Sequence, residues 1–182
     1  KAKRQPKIET IIIDIDRTLT TEDSAKLALE SVYGKEKARE RLAGFAQKIK
    51  GREMGFDELP MAIFSDLHNM GFKQADWVSI METLDNSGGF RRDLADALLK
   101  IGAVSGIDLV LATRGSDISA QYVAKSLGFL YALGSIERIN GERFSGFETI
   151  IGADDSENSG TSVMTKITAV SRLLASLGKP LD

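Results

Sequence analysis

The feature that most restricts the fold is a short β-branched run that ends in acidic residues. Residues 10–15 read TIIIDI, and such a run is typical of a strand buried in a parallel sheet. Residues 106–113 form a second run of this kind, which ends in Thr113. Segments of helical periodicity separate and follow these runs, and this alternation predicts right-handed crossovers. The expected fold class is therefore α/β, with a Rossmann-like, mostly parallel sheet flanked by helices.

Four helices are predicted between the first two strands, and no strand signal lies among them. Apolar residues recur at helical spacing from Ser24 onward, and Gly34 and Gly51 close the first two of these helices. We therefore predict a core domain of residues 1–21 and 87–182, and an α-helical cap, residues 22–86, inserted after the first strand. His68, the single histidine, is expected on a cap helix without a chemical role.

The second half of the chain shows further strand and helix signals. Residues 129–133 are a candidate third strand. The pair Asn140 and Gly141 predicts a hairpin between residues 136–139 and 143–147, because Asn-Gly suits the positive φ angles of a type I′ turn. Residues 154–160 are expected to be a polar loop. The last predicted helix includes Val163 and Ile167 and ends at Gly178.

Composition excludes several classes of protein. The 182 residues include 24 Lys and Arg against 26 Asp and Glu, so no strong electrostatic field attracts nucleic acid or an anionic membrane. The chain has no cysteine, which rules out disulfides and thiolate chemistry. No apolar run approaches the roughly 20 residues that span a bilayer. We therefore expect a small-molecule partner and a cytoplasmic location, without nucleic acid or membrane binding.

Two carboxylates follow the first strand at the edge where open α/β sheets form their sites. Asp14 and Asp16 are two positions apart, so their side chains share one side of an extended strand. Carboxylates this close repel each other unless a cation or a proton intervenes. Mg²⁺ prefers oxygen ligands and brings phosphate groups with it, and a carboxylate is also a nucleophile toward phosphorus. The pattern indicates phosphoryl chemistry.

The sequence resembles the haloacid dehalogenase superfamily, in particular its phosphoserine-phosphatase-like branch. The first motif of this family, Asp-x-Asp-x-Thr, stands here as DIDRT, from Asp14 to Thr18. Thr113 matches the second motif, a Thr or Ser that ends the next core strand, and Lys166 best matches the third, a Lys near the start of a later helix. The cap after the first strand and the predicted hairpin also look like this branch, and the resemblance covers nearly the whole chain.

The resemblance implies Mg²⁺-dependent hydrolysis of a small phosphomonoester, such as a phosphorylated metabolite. Asp14 would attack the phosphorus to form an aspartyl-phosphate, while Asp16 would protonate the leaving oxygen and then activate water. The same two aspartates would hold Mg²⁺, Asp16 through its backbone carbonyl. Thr113 and Lys166 would bind phosphoryl oxygens. Three further residues are predicted to bind substrate: Thr18, Arg114 and Gly115.

The sequence departs from the family pattern in two places. The fourth motif, which supplies acids after another strand and completes the metal site, does not follow the Lys166 helix. One explanation is a chain cut short of its natural end; another is that Asp154 and Asp155, which follow an apolar pair, replace this motif. Relatives that act on phosphoserine use a cap Arg, and residues 61–65 contain none, which disfavours phosphoserine as substrate. A phosphotransferase or mutase, and a catalytically weak or inactive domain with a binding or regulatory role, are the alternative functions.

Overall fold

The computed structural model describes residues 9–140, 143–152, 155–158 and 161–179. The strands are β1 (Thr10–Ile13), β2 (Asp108–Ser116), β3 (Tyr131–Asn140), β4 (Arg143–Ile151), β5 (Ser156–Asn158) and β6 (Thr161–Met164). The helices are α1 (Ser24–Tyr33), α2 (Lys35–Lys50), α3 (Leu59–Asn69), α4 (Gln74–Asn86), α5 (Arg92–Ser105), α6 (Asp117–Leu127) and α7 (Lys166–Ser176), and a single 3-10 turn covers Phe56–Glu58. None of the described helices has the length and apolar character needed to cross a bilayer.

The strands form one six-stranded sheet in the order β1-β2-β3-β4-β6-β5. The pairs β1–β2, β2–β3 and β4–β6 are parallel, whereas β3–β4 and β5–β6 are antiparallel. The β-branched residues of β1 pair in register with the start of β2, from Thr10 opposite Asp108 to Ile13 opposite Leu111. The predicted fold class, an α/β protein with a mostly parallel, Rossmann-like sheet flanked by helices, is therefore confirmed.

The predicted hairpin is present, but the segment after it differs from the prediction. Strands β3 and β4 pair antiparallel up to Asn140 opposite Arg143, and Gly141 lies outside the described residues. The predicted polar loop, residues 154–160, contains β5, so that prediction was wrong in part. Val163, predicted on the last helix, lies in β6 and pairs with Ile150. Strands of three or four residues are too short to show periodicity, and only their pairing with β4 and with each other defines them.

Helices α1 to α4 lie between β1 and β2, within residues 22–86, which are called the helical insertion below. The two connections between this insertion and the sheet are joined by backbone hydrogen bonds. The Thr21 N–H donates to the Gly89 carbonyl and the Arg91 N–H donates to the Leu19 carbonyl, both at 2.8 Å. A Cβ at Gly89 would lie 2.8 Å from the Leu84 carbonyl oxygen, so a side chain there would require the backbone to shift. The division into core domain and cap stays a prediction.

Aromatic side chains hold the insertion against the β3–β4 hairpin. Phe64 of α3 lies 5.1 Å from Trp77 of α4 and 4.8 Å from Phe147 of β4, measured between ring centroids. All three side chains are fully buried. Aromatic residues bury large apolar areas and dominate the energy of such contacts. The insertion is therefore packed onto the sheet rather than standing away from it.

Candidate active site

Asp14 lies directly after β1 and pairs with a lysine from the far end of the chain. Lys166 is the first residue of α7, and its Nζ is 2.8 Å from Asp14 Oδ1. The Ile15 N–H donates to the same oxygen at 2.9 Å. The other oxygen, Oδ2, accepts no hydrogen bond from any residue that the structure describes, and 50% of the side chain is exposed. Lys166 and the Ile15 N–H thus hold one carboxylate oxygen in place, and the other oxygen is left open to a ligand.

Asp16 lies on the buried side of the same loop. Its Oδ1 accepts the Ser24 N–H at 2.7 Å, and its Oδ2 accepts the Thr113 hydroxyl at 2.8 Å. Burial raises the pKa of the Asp16 carboxyl, and the negative charge of Asp23 raises this pKa further, while the two hydrogen bonds oppose the shift. A carboxyl whose neutral form is favoured in this way is suited to donate a proton.

The end of β2 packs closely against Asp16. Thr113 is buried, and its hydroxyl oxygen accepts the Gly115 N–H at 3.1 Å while it donates to Asp16. A Cβ added at Gly115 would lie 3.1 Å from Ser24 Oγ and 3.5 Å from Asp16 Oδ2. A side chain at position 115 would therefore press on Ser24, and the three predicted residues Thr113, Gly115 and Asp16 lie together.

The loop after β1 uses most of its own backbone donors. The N–H groups of Thr18, Leu19 and Thr20 all donate to the Ile15 carbonyl at 2.9–3.1 Å. The Arg17 N–H donates to the Thr20 hydroxyl, and Arg17 has a φ of 60°, a left-handed conformation that costs a residue with a side chain energy. The Thr18 N–H is thus used within the loop, and substrate binding by Thr18 stays a prediction.

Asp155, one candidate to replace the fourth motif, caps α7 instead. Its Oδ1 accepts the Thr165 N–H at 2.8 Å and its Oδ2 accepts the Thr168 hydroxyl at 2.7 Å. The hydrogen bond from Thr165 is the largest of the contacts that lower the pKa of Asp155. Asp154 lies outside the described residues. Within the described ranges, no group of three acidic, histidine or cysteine side chains could enclose a metal ion.

A cavity of about 230 Å³ lies between the helical insertion and the core, beside Asp16. Its apolar lining comes from the insertion: Ala25, Leu42, Phe56, Leu59, Pro60, Ile63 and Phe64. Its polar lining comes from the segment between β1 and α1, the start of α1 and the end of β2: Asp16, Asp23, Ser24, Arg114 and Gly115. The Arg114 guanidinium carbon lies 4.6 Å from the centroid of the Phe56 ring, so the predicted substrate residue Arg114 contacts the insertion.

Two features of the site region carry no clear signal in the sequence. Ser24 follows the helix-capping Asp23, which is a recognisable start of a helix, but only the fold turns its N–H toward Asp16. His68, predicted to have no chemical role, lies at the boundary between insertion and sheet, where its Nε2 is 3.0 Å from Glu137 Oε2. The Ser116 hydroxyl donates to the other oxygen of Glu137 at 3.2 Å.

The fold and the site define a class of protein. It is an α/β protein whose paired aspartates follow the first strand of a mostly parallel sheet and face a lysine and a helical insertion. Sites at the carboxyl ends of parallel strands are where proteins of this architecture bind their ligands.

Three solved structures share this fold at low sequence identity. A protein with unknown function from Bordetella pertussis Tohama I has a TM-score of 0.67 and 14% identity, over 97% of this chain and 78% of that chain. A HAD family hydrolase from Salmonella enterica serovar Typhi has a TM-score of 0.57 and 16% identity, over 78% and 46%. A phosphoserine phosphohydrolase-like protein from Francisella tularensis has a TM-score of 0.55 and 15% identity, over 77% and 64%. No family model and no curated protein matches the sequence.

The chain has the fold seen in a haloacid dehalogenase (HAD) family hydrolase and in phosphoserine phosphatases, so the fold that the sequence resemblance implies is confirmed. This chain aligns with 46% of the HAD family hydrolase and 64% of the phosphohydrolase-like protein. Because one fold carries many activities, the function has to be argued from the site.

Proposed function

We propose that this protein hydrolyses a small phosphomonoester, with Asp14 as nucleophile and Asp16 as general acid and base. The observation that carries the proposal is the contrast between the two carboxyl groups. Asp14 is half exposed and paired with Lys166, which suits an ionised nucleophile. Asp16 is largely buried, and its pKa is raised by that burial, which suits a proton donor.

The reaction has two balanced halves. Oδ2 of Asp14 attacks the phosphorus, the bond between phosphorus and the ester oxygen breaks, and the leaving oxygen takes the proton from Asp16. Water then attacks the aspartyl-phosphate, loses a proton to the Asp16 carboxylate and releases phosphate and Asp14. Lys166 reduces the repulsion between the Asp14 carboxylate and an anionic phosphoryl group. Ser24 and Thr113 keep the Asp16 carboxyl oriented through both halves.

The residues present fit a magnesium ion of the kind the family uses. Mg²⁺ is usually held by one or two carboxylates together with substrate phosphate and water, and the Asp14 side chain is 50% exposed and so accessible to an ion. Asp14 and the backbone carbonyl of Asp16 would hold the ion. When bound, it would offset the negative charge of the phosphoryl group.

Phosphate release from 4-nitrophenyl phosphate, with and without Mg²⁺, tests the proposal. Asp14→Asn removes the nucleophile with little change in shape, and we expect turnover to fall at least ~10³-fold. Asp96→Asn is the matched control, because Asp96 is exposed on α5 and the substitution makes the same change in charge. We expect Asp96→Asn to keep wild-type turnover.

A trapping experiment separates phosphoryl transfer through Asp14 from a role in binding alone. After rapid acid quench, intact-protein mass spectrometry of the wild type should show one added phosphoryl group, and Asp14→Asn should show none. Equal turnover in wild type and Asp14→Asn would contradict the proposal. Absence of turnover together with binding of orthophosphate would favour the second candidate, a catalytically inactive binding domain. This candidate is consistent with the finding that no three acidic, histidine or cysteine side chains among the described residues are placed to hold a metal ion together.

A further inference from the structure

Arg114 places a positive charge in a part of the cavity that is otherwise mostly apolar. Its guanidinium stacks on Phe56, whose ring belongs to the helical insertion and whose residue is 51% exposed. No residue in the described ranges forms an ion pair with Arg114. A cation–π contact at an exposed ring leaves the guanidinium charge in place and leaves its N–H donors available in the ring plane.

The Arg114 guanidinium and the Asp16 carboxyl have different partners. Thr113 and Arg114 are successive residues of β2, in the part of this strand where its pairing with β3 is irregular, between Ala112 and Ser116. Thr113 contacts Asp16, whereas Arg114 contacts Phe56. The charged residue that shifts the pKa of Asp16 most is Asp23. The cavity lining therefore combines two acidic residues, Asp16 and Asp23, with an arginine whose described contact is with the insertion.

Most of the other lining residues are apolar. They include Leu42, Leu59 and Ile63 of the insertion, and the whole cavity measures about 230 Å³. This volume lies below the range of roughly 300–1,000 Å³ that is usual for drug-sized ligands. The space therefore suits a compact body that is apolar along its length. Asp23 faces the same cavity, but one of its oxygens accepts the Lys26 N–H at the start of α1.

We propose that Arg114 binds a second anionic group of the substrate, so that the substrates are small phosphomonoesters whose apolar carbon body ends in a carboxylate. The planar fork of a guanidinium matches a carboxylate with two parallel hydrogen bonds. This inference rests on the proposed function, because it assumes that the phosphoryl group of the substrate lies at Asp14. Arg114 is thus a specificity-determining residue, and the insertion contributes Phe56 to hold it.

The test compares alkyl phosphates of increasing chain length with their ω-carboxyalkyl counterparts. For each length, the measured quantity is the ratio of kcat/KM for the carboxylated substrate to kcat/KM for the plain one. In the wild type we expect this ratio to reach about 10–100 at the best length, the range that hydrogen bonds to a charged group supply. Arg114→Met keeps the apolar stem without the charge and should bring the ratio to about one, mainly through KM.

Two further variants control the comparison. Arg114→Lys keeps the charge without the fork and should restore part of the preference. Arg39→Met removes an exposed arginine of α2 and should leave the ratio at its wild-type value. If Arg114→Met lowers kcat/KM for both series equally, Arg114 binds the transferred phosphoryl group and the proposal is wrong. A wild-type ratio near one at every length would also overturn it.

Binding measurements distinguish failure of this inference from failure of the proposed function. Alkyl phosphonates and ω-carboxyalkyl phosphonates keep both ends of these substrates but are not hydrolysed. Calorimetry should show tighter binding of the carboxylated series to the wild type, and this difference should disappear in Arg114→Met. If the difference in affinity disappears in Arg114→Met and the wild type turns over no phosphate ester, Arg114 is supported as the anion site. Only the proposed hydrolase activity is then refuted. Equal affinity of both series for the wild type would refute the inference itself.

Discussion

His68 and Glu137 connect the helical insertion to the sheet through a pair that water barely reaches. The His68 side chain is 9% exposed and the Glu137 side chain 1%, and their nitrogen and oxygen atoms are 3.0 Å apart. The His68 ring also stacks on Phe144, with 4.8 Å between ring centroids. Replacing His68 by Leu leaves Glu137 Oε2 buried without its partner, while Ser116 still donates to Oε1.

We expect His68→Leu to lower the free energy of unfolding by about 3–5 kcal/mol, the usual cost of removing one partner from a buried pair. In a domain of this size 1 kcal/mol corresponds to about 2–4 °C, so Tm should fall by about 6–20 °C. Thermal unfolding followed by circular dichroism measures this shift. Arg41→Leu is the control, because it removes an ion pair to Asp66 in which the arginine is 43% exposed, and such pairs contribute at most about 1 kcal/mol.

A double-mutant cycle tests whether the pair itself is responsible. Glu137→Leu removes the buried carboxyl, so His68→Leu should cost less in that background. We expect the double variant to be more stable than the sum of the single effects predicts, by about 1–3 kcal/mol. Additive effects, or a His68→Leu shift no larger than that of Arg41→Leu, would refute the reasoning that this pair stabilises the contact between insertion and sheet.

Three further substitutions follow from the site geometry. Because burial raises the pKa of Asp16, ionisation of this carboxyl destabilises the folded state. Asp16→Asn should therefore have a higher Tm than the wild type above that pKa. The difference in Tm should vanish as the pH falls below about 4, the usual carboxyl pKa. Gly115→Ala pushes a methyl group toward Ser24 and Asp16 and should lower kcat/KM about tenfold or more. Gly44→Ala is the control, because a methyl group there meets no other atom; it should leave kcat/KM unchanged and raise the free energy of unfolding slightly. Arg17→Gly relieves the left-handed conformation and should raise the free energy of unfolding by about 1 kcal/mol, measured by urea denaturation.

Several parts of the site could be predicted because they depend on local patterns and one general rule. A β-branched run predicts a buried strand, and acids that follow it must lie at the carboxyl edge of a parallel sheet. Thr113 ends the neighbouring strand, so its proximity to Asp16 follows from the parallel pairing of β1 and β2. Lys166 at the start of a helix is unfavourable for the helix dipole, and this signal agrees with its contact to Asp14.

Other parts were decided only by the tertiary structure, because they depend on contacts between residues far apart in the chain. Strand β6 is too short to show a period and forms through its pairing with β4 and β5. Asp155 looks like a metal ligand in the sequence, yet hydrogen bonds from Thr165 and Thr168 turn it to the end of α7. His68 meets Glu137 only because the insertion folds back onto the sheet. The sequence alone determined the fold class and the chemical character of the strand ends, since both arise from local periodicity and residue type. The tertiary structure decided which charges are buried, paired or open to a ligand, since burial and pairing arise only when distant segments pack together.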